Sequence, residues 1–357
     1  MANPGEGEHK IMDFIREMKT QPGYQPNQRH CMYGQDADLI MLSLVTHEPH
    51  FTLLREIVDF SFPSNNKNAL KSVKKFTKES NFQLLHISIL REYLDIEFNA
   101  LDSKDAQYDL EPIIDDFVFM TFLIGNDFLP HLPALDITHG AFDLLFRVYK
   151  EQLPTWGKGN YLTDCGSISN PLRLQHFLSV IGDAESDLID KMLEKQAADD
   201  KRRAKWGKKD SFDKTKEFVM KKFPKIDIKE ELTGTERTSA DVFKSNYYST
   251  KLKLSSTDEK EHYELRKSYI EGLLWCLSYY YKGCCSWGWF FPYHYGKLSV
   301  FINIYLISFY LILLLGPMLS DLCNLDQMIS EIKFELGSPL KPFERKLLEK
   351  FIQTEND

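Results

Sequence analysis

The sequence has no Cys-x-x-Cys pair and no cysteine spaced with histidine as zinc ligands are, which argues against a structural zinc centre. Its six cysteines, Cys31, Cys165, Cys276, Cys284, Cys285 and Cys323, form no disulfide framework, and the opening residues carry no secretory pattern. The expected compartment is therefore reducing: cytoplasmic, with nuclear as the alternative. Excess basic charge is missing too. Against 44 basic residues stand 52 acidic ones, a net charge of −8, so a polyanion would have to be gripped by a local basic groove. No internal repeat is present, which excludes a repeat architecture. Apolar residues are plentiful: at 43% hydrophobic over 357 residues, the chain can bury a sizeable core in more than one domain.

Periodicity gives the organisation. After glycines at 5 and 7, Ile11, Met12, Ile15 and Met18 recur at helical spacing and predict a helix with one buried stripe. A Pro/Gly/Asn-rich connection over 22–28 leads to a short strand at about 29–34, a helix from Ala37 to Thr46 and a strand-like run over 50–62. Helical apolar spacing predicts long core helices over 81–101 and 109–125, the second stopped at Gly125 with Pro130 just beyond, and a further helix near 139–151. Single strands mixed with amphipathic helices indicate an α/β class. Charge of both signs dominates 191–241, which reads as a solvated linker; its Lys/Arg clusters could touch a phosphate backbone, but an exposed charged surface is the simpler account. From Tyr247 onward apolar and aromatic residues return, marking a second packed unit.

The stretch RHCMYGQDADLIML, residues 29–42, sets Asp36 and Asp38 two positions apart between strand and helix. If Gly34 ends the strand, both carboxylates lie at its carboxyl end, where open α/β sheets place ligands. The simpler reading is that they cap the next helix. PGEGEH adds Glu6 and Glu8 at the same spacing, and IGNDFLPH adds Asp127 directly after the helix ending at Gly125. If the fold gathers these five, their mutual repulsion requires a cation. Oxygen ligands without cysteine or histidine point to Mg²⁺ or Mn²⁺. Two such ions about 4 Å apart can activate water and steady a leaving oxygen in phosphodiester hydrolysis. Each motif taken alone is weak.

Together, PGEGEHKIMDFIR, RHCMYGQDADLIML, DDFVFMTFLIGNDFLPHLPALDI and GCCSWGWFFPYHY resemble the XRN family of 5′→3′ exoribonucleases. The tyrosine in YGQDADLIML, with YDLEPIIDDFVFMTFLIGNDFLPHLPALDI, resembles its cytoplasmic branch. The resemblance covers most of residues 3–345 and is weakest in the charged linker. It implies a PIN/flap-endonuclease-like α/β nuclease core, represented by its C-terminal part over 1–190, followed by the charged linker 191–241. A mostly helical second conserved region spans 242–345, interrupted at 296–315, and a divergent tail occupies 346–357. The resemblance further implies that Glu6, Glu8, Asp36, Asp38 and Asp127 hold Mg²⁺ or Mn²⁺, as two ions. The implied reaction is processive hydrolysis of single-stranded RNA with a 5′-monophosphate to mononucleotides, in mRNA decay, with decapping or other decay factors as partners. Trp287 or Trp289 would stack near the substrate's 5′ end, whereas core packing suits most of the aromatics around them. His9, His131 and His294 read as structural.

Two departures from the family stand out. Its catalytic region begins well upstream of GEGEHK, and the upstream portion carries further metal-site aspartates and the 5′-phosphate pocket. The chain is therefore expected to be an N-terminally incomplete fragment with little or no nuclease activity by itself. A rival reading makes it an RNA-binding or scaffold protein with an incomplete metal site. No charge occurs between Lys297 and Asp321, and 298–315 has the length and apolarity of a membrane helix. Yet Pro317, Ser320 and Asp321 resume the family pattern beyond this run, so 296–315 looks inserted. Gly296-Lys297 can be encoded as GGTAAG, a splice-donor sequence, and Leu315-Gly316 can carry the acceptor; a translated intron is preferred to membrane attachment through 298–315.

Overall fold

The computed structural model describes residues 4–57, 81–99, 108–135, 137, 140–206, 239–254, 258–293, 322 and 325–332. The apolar insert expected at 296–315, the tail 346–357, His294 and the charged stretch over 207–238 lie outside these residues. The chain divides into two compact units, one of Met1–Val118 with Tyr280–Gly283, the other of Phe119–Tyr279 with Cys284–Asp357.

The first unit is α/β. Helix α1 (Gly7–Lys19) is followed by strand β1 (Arg29–Tyr33), helix α2 (Asp38–Val45) and strand β2 (His50–Glu56), then β3 (Phe82–His86) and α3 (Ile87–Asn99). Helix α4 (Leu110–Leu123) begins in this unit. Strand order is β1-β2-β3, with β1 and β2 parallel and β2 and β3 antiparallel. Parallel neighbours need a crossover, and α2 supplies it. Met32 of β1 and Phe51 and Leu53 of β2 are buried on one face of the sheet. On the other, Tyr33, Phe82 and Leu84 remain exposed.

Two expectations need correction. Residues 82–86 form a strand, and the helix expected over 81–101 starts only at Ile87. A short apolar run satisfies either periodicity. Pairing decides it: Leu85 lies opposite Leu53, and Ile57 N donates to Asn81 O at 2.8 Å. In α1 the buried stripe is His9, Met12 and Ile15, while Ile11 is 42% exposed. The i, i+3 line through Met12 continues to Ile15 and back to His9, and Ile11 falls off it.

Polar groups inside this unit are tied in two places. Glu48, 3% exposed, meets Lys19 Nζ at 2.9 Å and His30 Nε2 at 3.4 Å, linking α1, β1 and the turn after α2. Burial would raise the Glu48 pKa, but the hydrogen bonds it accepts from Lys19 and Tyr24 hold it below the ordinary carboxylate range. The second tie is His47, which leaves α2 in the left-handed conformation, φ 53°. Its Nδ1 meets Glu111 and its Nε2 meets Asp115 Oδ1 at 2.8 Å, two carboxylates one turn apart on α4. Arg91 pairs with Glu111, and Tyr281 Oη donates to Asp115 Oδ1 at 2.6 Å.

The second unit is mostly helical. It holds α5 (Ala141–Trp156), a small hairpin of β4 (Thr163–Asp164) and β5 (Ser167–Ile168), then α6 (Pro171–Asp183) and α7 (Glu185–Trp206). Helix α8 (Ser239–Asn246) runs into a π-helical turn, Tyr247–Leu252, before α9 (Glu259–Tyr281) and α10 (Leu325–Glu331). The Asn170 side chain caps α6, accepting from Leu172 N and Arg173 N, with Pro171 at its first position. Leu144, Leu145 and Val148 of α5 and Leu174, Phe177 and Ile181 of α6 fill the core between these two helices. The described parts of the expected linker are helical: 191–206 continue α7 and 239–241 open α8.

The His47 tie sets a pH dependence. Burial pulls its pKa down, but the hydrogen bonds that His47 donates to Asp115 and Glu111 outweigh this and raise it from 6.5 to about 9. A raised folded-state pKa contributes stability that is complete below about 6.5 and lost as pH rises through about 9. His47→Ala is expected to cost roughly 1–3 kcal/mol in urea unfolding at about pH 6, with the gap to the native protein closing above about pH 9. An equal gap at both pH values would contradict the charged bridge.

Candidate metal centre

Glu6 occupies the N-cap position of α1 in extended conformation, φ −70° and ψ 154°, yet its side chain does not cap the helix. The carboxylate instead faces His9, 3.7 Å from Nε2, and His9 itself is buried with its ring edge-on to Tyr280. Glu8 lies in the first turn, half-buried. Both acids sit where the helix presents its positive dipole end, which favours negative charge.

Asp36 and Asp38 follow the same pattern on α2. Gly34 continues the ladder, its N donating to Leu54 O at 3.2 Å. A Cβ at that position would lie 2.2 Å from Leu39 Cδ1, so a side chain there would require Leu39 of α2 to move aside. Gln35 is held from both sides: its carbonyl accepts from Arg55, and its Nε2 donates to Glu56 O at 3.2 Å. The capping role that suits this pair on sequence does not hold. Ala37 is the N-cap residue and makes no side-chain cap, and Asp38 is the first helical residue. Asp36 is exposed; Asp38 is half-buried, with Oδ1 shielded from solvent. Helices α1 and α2 pack together within the first unit.

The side chains of Glu8 and Asp36 make no hydrogen bond or ion pair among the described residues. Among those residues, no three His, Cys, Asp or Glu side chains are grouped closely enough to hold a metal ion. A cavity of about 230 Å³ in the first unit is lined by Met12, Ile15, Arg16, Lys19, Val45 and His47 among others, at the end of α1 away from Glu6 and Glu8.

Asp127 belongs to the second unit, exposed on a turn after α4. The turn is tightly specified. Gly125 adopts φ +103°, and a Cβ there would meet His131 N at 2.9 Å. Asn126 Oδ1 accepts from Phe128 N at 2.9 Å and Leu129 N at 2.8 Å, an Asx turn. Leu132 N donates to Leu123 O at 3.0 Å, closing the turn, and His131 Nδ1 lies 3.0 Å from Leu132 O.

The two candidate tryptophans differ. Trp289 is half-buried, its ring stacked on Trp275 with centroids 5.1 Å apart. Trp287 is 43% exposed and touches Tyr279 edge-on at 6.1 Å. Sequence reasoning passed over Asn126, Arg55 and Trp275. Asn126 carried a signal, since asparagine is a turn former beside Gly125. Nothing distinguished Trp275 from an ordinary core aromatic.

Comparison with known proteins adds the family. Residues 1–57 match the XRN 5′-3′ exonuclease N-terminus, and residues 107–242 and 208–312 match the Xrn1 helical domain. The chain is 37% identical to human 5′-3′ exoribonuclease 1, with 96% of this chain and 20% of the human protein aligned. Against the Saccharomyces cerevisiae 5′-3′ exoribonuclease 1 identity is 32%, over 96% of this chain and 27% of the yeast protein. The 5′-3′ exoribonuclease 2 of Arabidopsis thaliana is also 32% identical, over 96% and 41% respectively. The chain thus spans between about a fifth and two fifths of the length of these relatives.

The turn bearing Asp127 supplies its own test. Gly125→Ala places a side chain at positive φ against backbone and is expected to destabilise the second unit by roughly 1–3 kcal/mol. Hydrogen exchange should report the loss at the amides of Phe128 and Leu129; unchanged protection there would refute the strain assigned to Gly125.

Proposed function

The chain belongs to the XRN family of 5′-3′ exonucleases, and from that premise we propose that it is part of a 5′→3′ exoribonuclease. Its substrate is single-stranded RNA carrying a 5′-monophosphate, degraded processively to mononucleotides in cytoplasmic mRNA turnover, beside decapping or other decay factors. Relatives named 5′-3′ exoribonuclease 1 and 2 support this reading. The α/β first unit is the corresponding portion of a PIN/flap-endonuclease-like core.

The observation that carries the proposal is the position of four carboxylates. Glu6, Glu8, Asp36 and Asp38 lie at the N-terminal ends of two helices packed in one unit, and the N-cap residues of these helices, Glu6 and Ala37, make no side-chain cap. An all-carboxylate donor set fits a hard divalent cation, Mg²⁺ or Mn²⁺. Glu6, Glu8, Asp36 and Asp38 of the first unit and Asp127 of the second are each proposed as ligands, in a two-ion arrangement. Divalent ions bound there supply Lewis-acid polarisation of the scissile phosphodiester and ease deprotonation of the attacking water.

The chain's own residues do the positioning. Gln35, held by Arg55 and the Glu56 carbonyl, keeps the Asp36 loop attached to β2. Asn126 fixes the turn from which Asp127 projects. Trp287, exposed on one face, offers a stacking surface for an unpaired base. A second reading, RNA binding with an incomplete metal site, draws on the absence of a three-ligand group among the described residues.

One pair of titrations separates the two. Mn²⁺ calorimetry on the purified chain should give a binding heat that Asp38→Asn weakens tenfold or more. Anisotropy of a short 5′-phosphorylated oligouridylate in EDTA should lose affinity by about 1–3 kcal/mol in Trp287→Ala. RNA binding without any Mn²⁺ heat would favour the second reading, and absence of both would sink the nuclease assignment.

A further inference from the structure

Three residues on one face of α9 each touch two other segments of the second unit: the turn carrying Asp127 and the loop carrying Trp287. Trp275, 5% exposed, is the central one. On one side its ring meets Phe128 at 5.0 Å and 61°, an edge-on contact with the residue next to Asp127. On the other it stacks on Trp289 at 25°, and its Nε1 donates to Ser286 O at 2.9 Å, just before Trp287.

Gly272, three residues earlier, shows how closely both segments approach. A Cβ there would lie 2.3 Å from Leu129 Cδ2 and 2.9 Å from Trp289 Cη2, so the missing side chain makes room for both at once. Tyr279, one turn after Trp275, repeats the double contact: Phe128 at 5.6 Å and Trp287 at 6.1 Å, both edge-on. Spacing of three and four residues puts these positions in a single row on the helix. Asn126 Nδ2, 3.5 Å from Cys276 Sγ, adds a polar tie from the turn to the same helix.

We propose that Trp275 is a positioning residue that sets the placement of Asp127 and Trp287 together, so that one side chain governs both the metal ligand and the base-stacking surface. The inference rests on the metal and RNA roles proposed above. It assigns no contact with substrate to Trp275. Its physical content is that Phe128 cannot shift without moving Asp127, and the Ser286 carbonyl cannot shift without moving Trp287, and both abut the same indole.

The test uses the full chain with two probes, Mn²⁺ and a short 5′-phosphorylated oligouridylate in EDTA. Trp275→Ala should weaken both by about tenfold, the scale of a lost outer-shell support. Trp275→Phe keeps a ring against Phe128 but loses the N–H to Ser286. It should therefore weaken the oligonucleotide severalfold while leaving Mn²⁺ affinity within about twofold. Gly272→Ala, which crowds Leu129 and Trp289 together, should lower both and serves as a second route if Trp275→Ala does not fold by circular dichroism. A folded Trp275→Ala protein with either affinity unchanged would overturn the inference alone, leaving the function intact. Native protein that binds no Mn²⁺ would overturn the proposed metal role and this inference with it.

Discussion

Like charges brought to the ends of neighbouring helices repel one another, and four carboxylates of the first unit stand at or just before such ends. Glu6 and Glu8 open α1, and Asp36 and Asp38 open α2. A carboxylate at a helix N-terminus is ordinarily spent on capping, satisfying backbone amides. Here the Glu6 side chain does not cap α1, and the α2 cap position is taken by Ala37. The helix dipoles offset part of the repulsion, and the divalent cation proposed above would offset the remainder. The fold maintains this arrangement through groups that are not ligands. Leu39 of α2 fills the space beside Gly34, Arg55 and Gln35 hold the intervening loop, and buried Glu48 joins the far end of α1 to the turn after α2.

In the second unit a different device serves the same end. Asp127 is held by a specified turn: Gly125 adopts a φ that residues with a side chain rarely adopt, and Asn126 accepts from the amides of Phe128 and Leu129. Helix α9 then braces that turn and the aromatic loop with a single row of side chains. An exposed carboxylate and an exposed indole are both mobile groups in principle. Packing the residues beside them, Phe128 and Trp289, against one buried indole restrains both.

Much of this was legible in the sequence because the informative residues are short-range. The strand at 29–33, the helix from 38 and the stop at Gly125 follow from Gly34, Gly125 and the apolar spacing between them. The five acids were legible as candidates from their spacing beside glycines, and their family resemblance from the surrounding words. What failed was what depends on partners distant in sequence. The strand at 82–86 exists because β2 offers an unpaired edge, which no local window displays. Placing Asp36 or Asp38 at the N-cap position was a sound local inference that the backbone path through Ala37 overrides. The difference in exposure between Trp287 and Trp289 reflects packing on Trp275, a residue whose local pattern is that of any core aromatic.

The central claim is that the acids at the starts of α1 and α2 hold a common cation. Iron affinity cleavage tests it most directly: Fe²⁺ with ascorbate replaces Mg²⁺, and hydroxyl radicals cut the backbone beside the bound ion. The account gives cuts next to Glu6–Glu8 and next to Asp36–Asp38 in the same sample, both suppressed by excess Mg²⁺ and both lost in Asp38→Asn. Cuts beside one pair only, or a pattern indifferent to Mg²⁺, would contradict it.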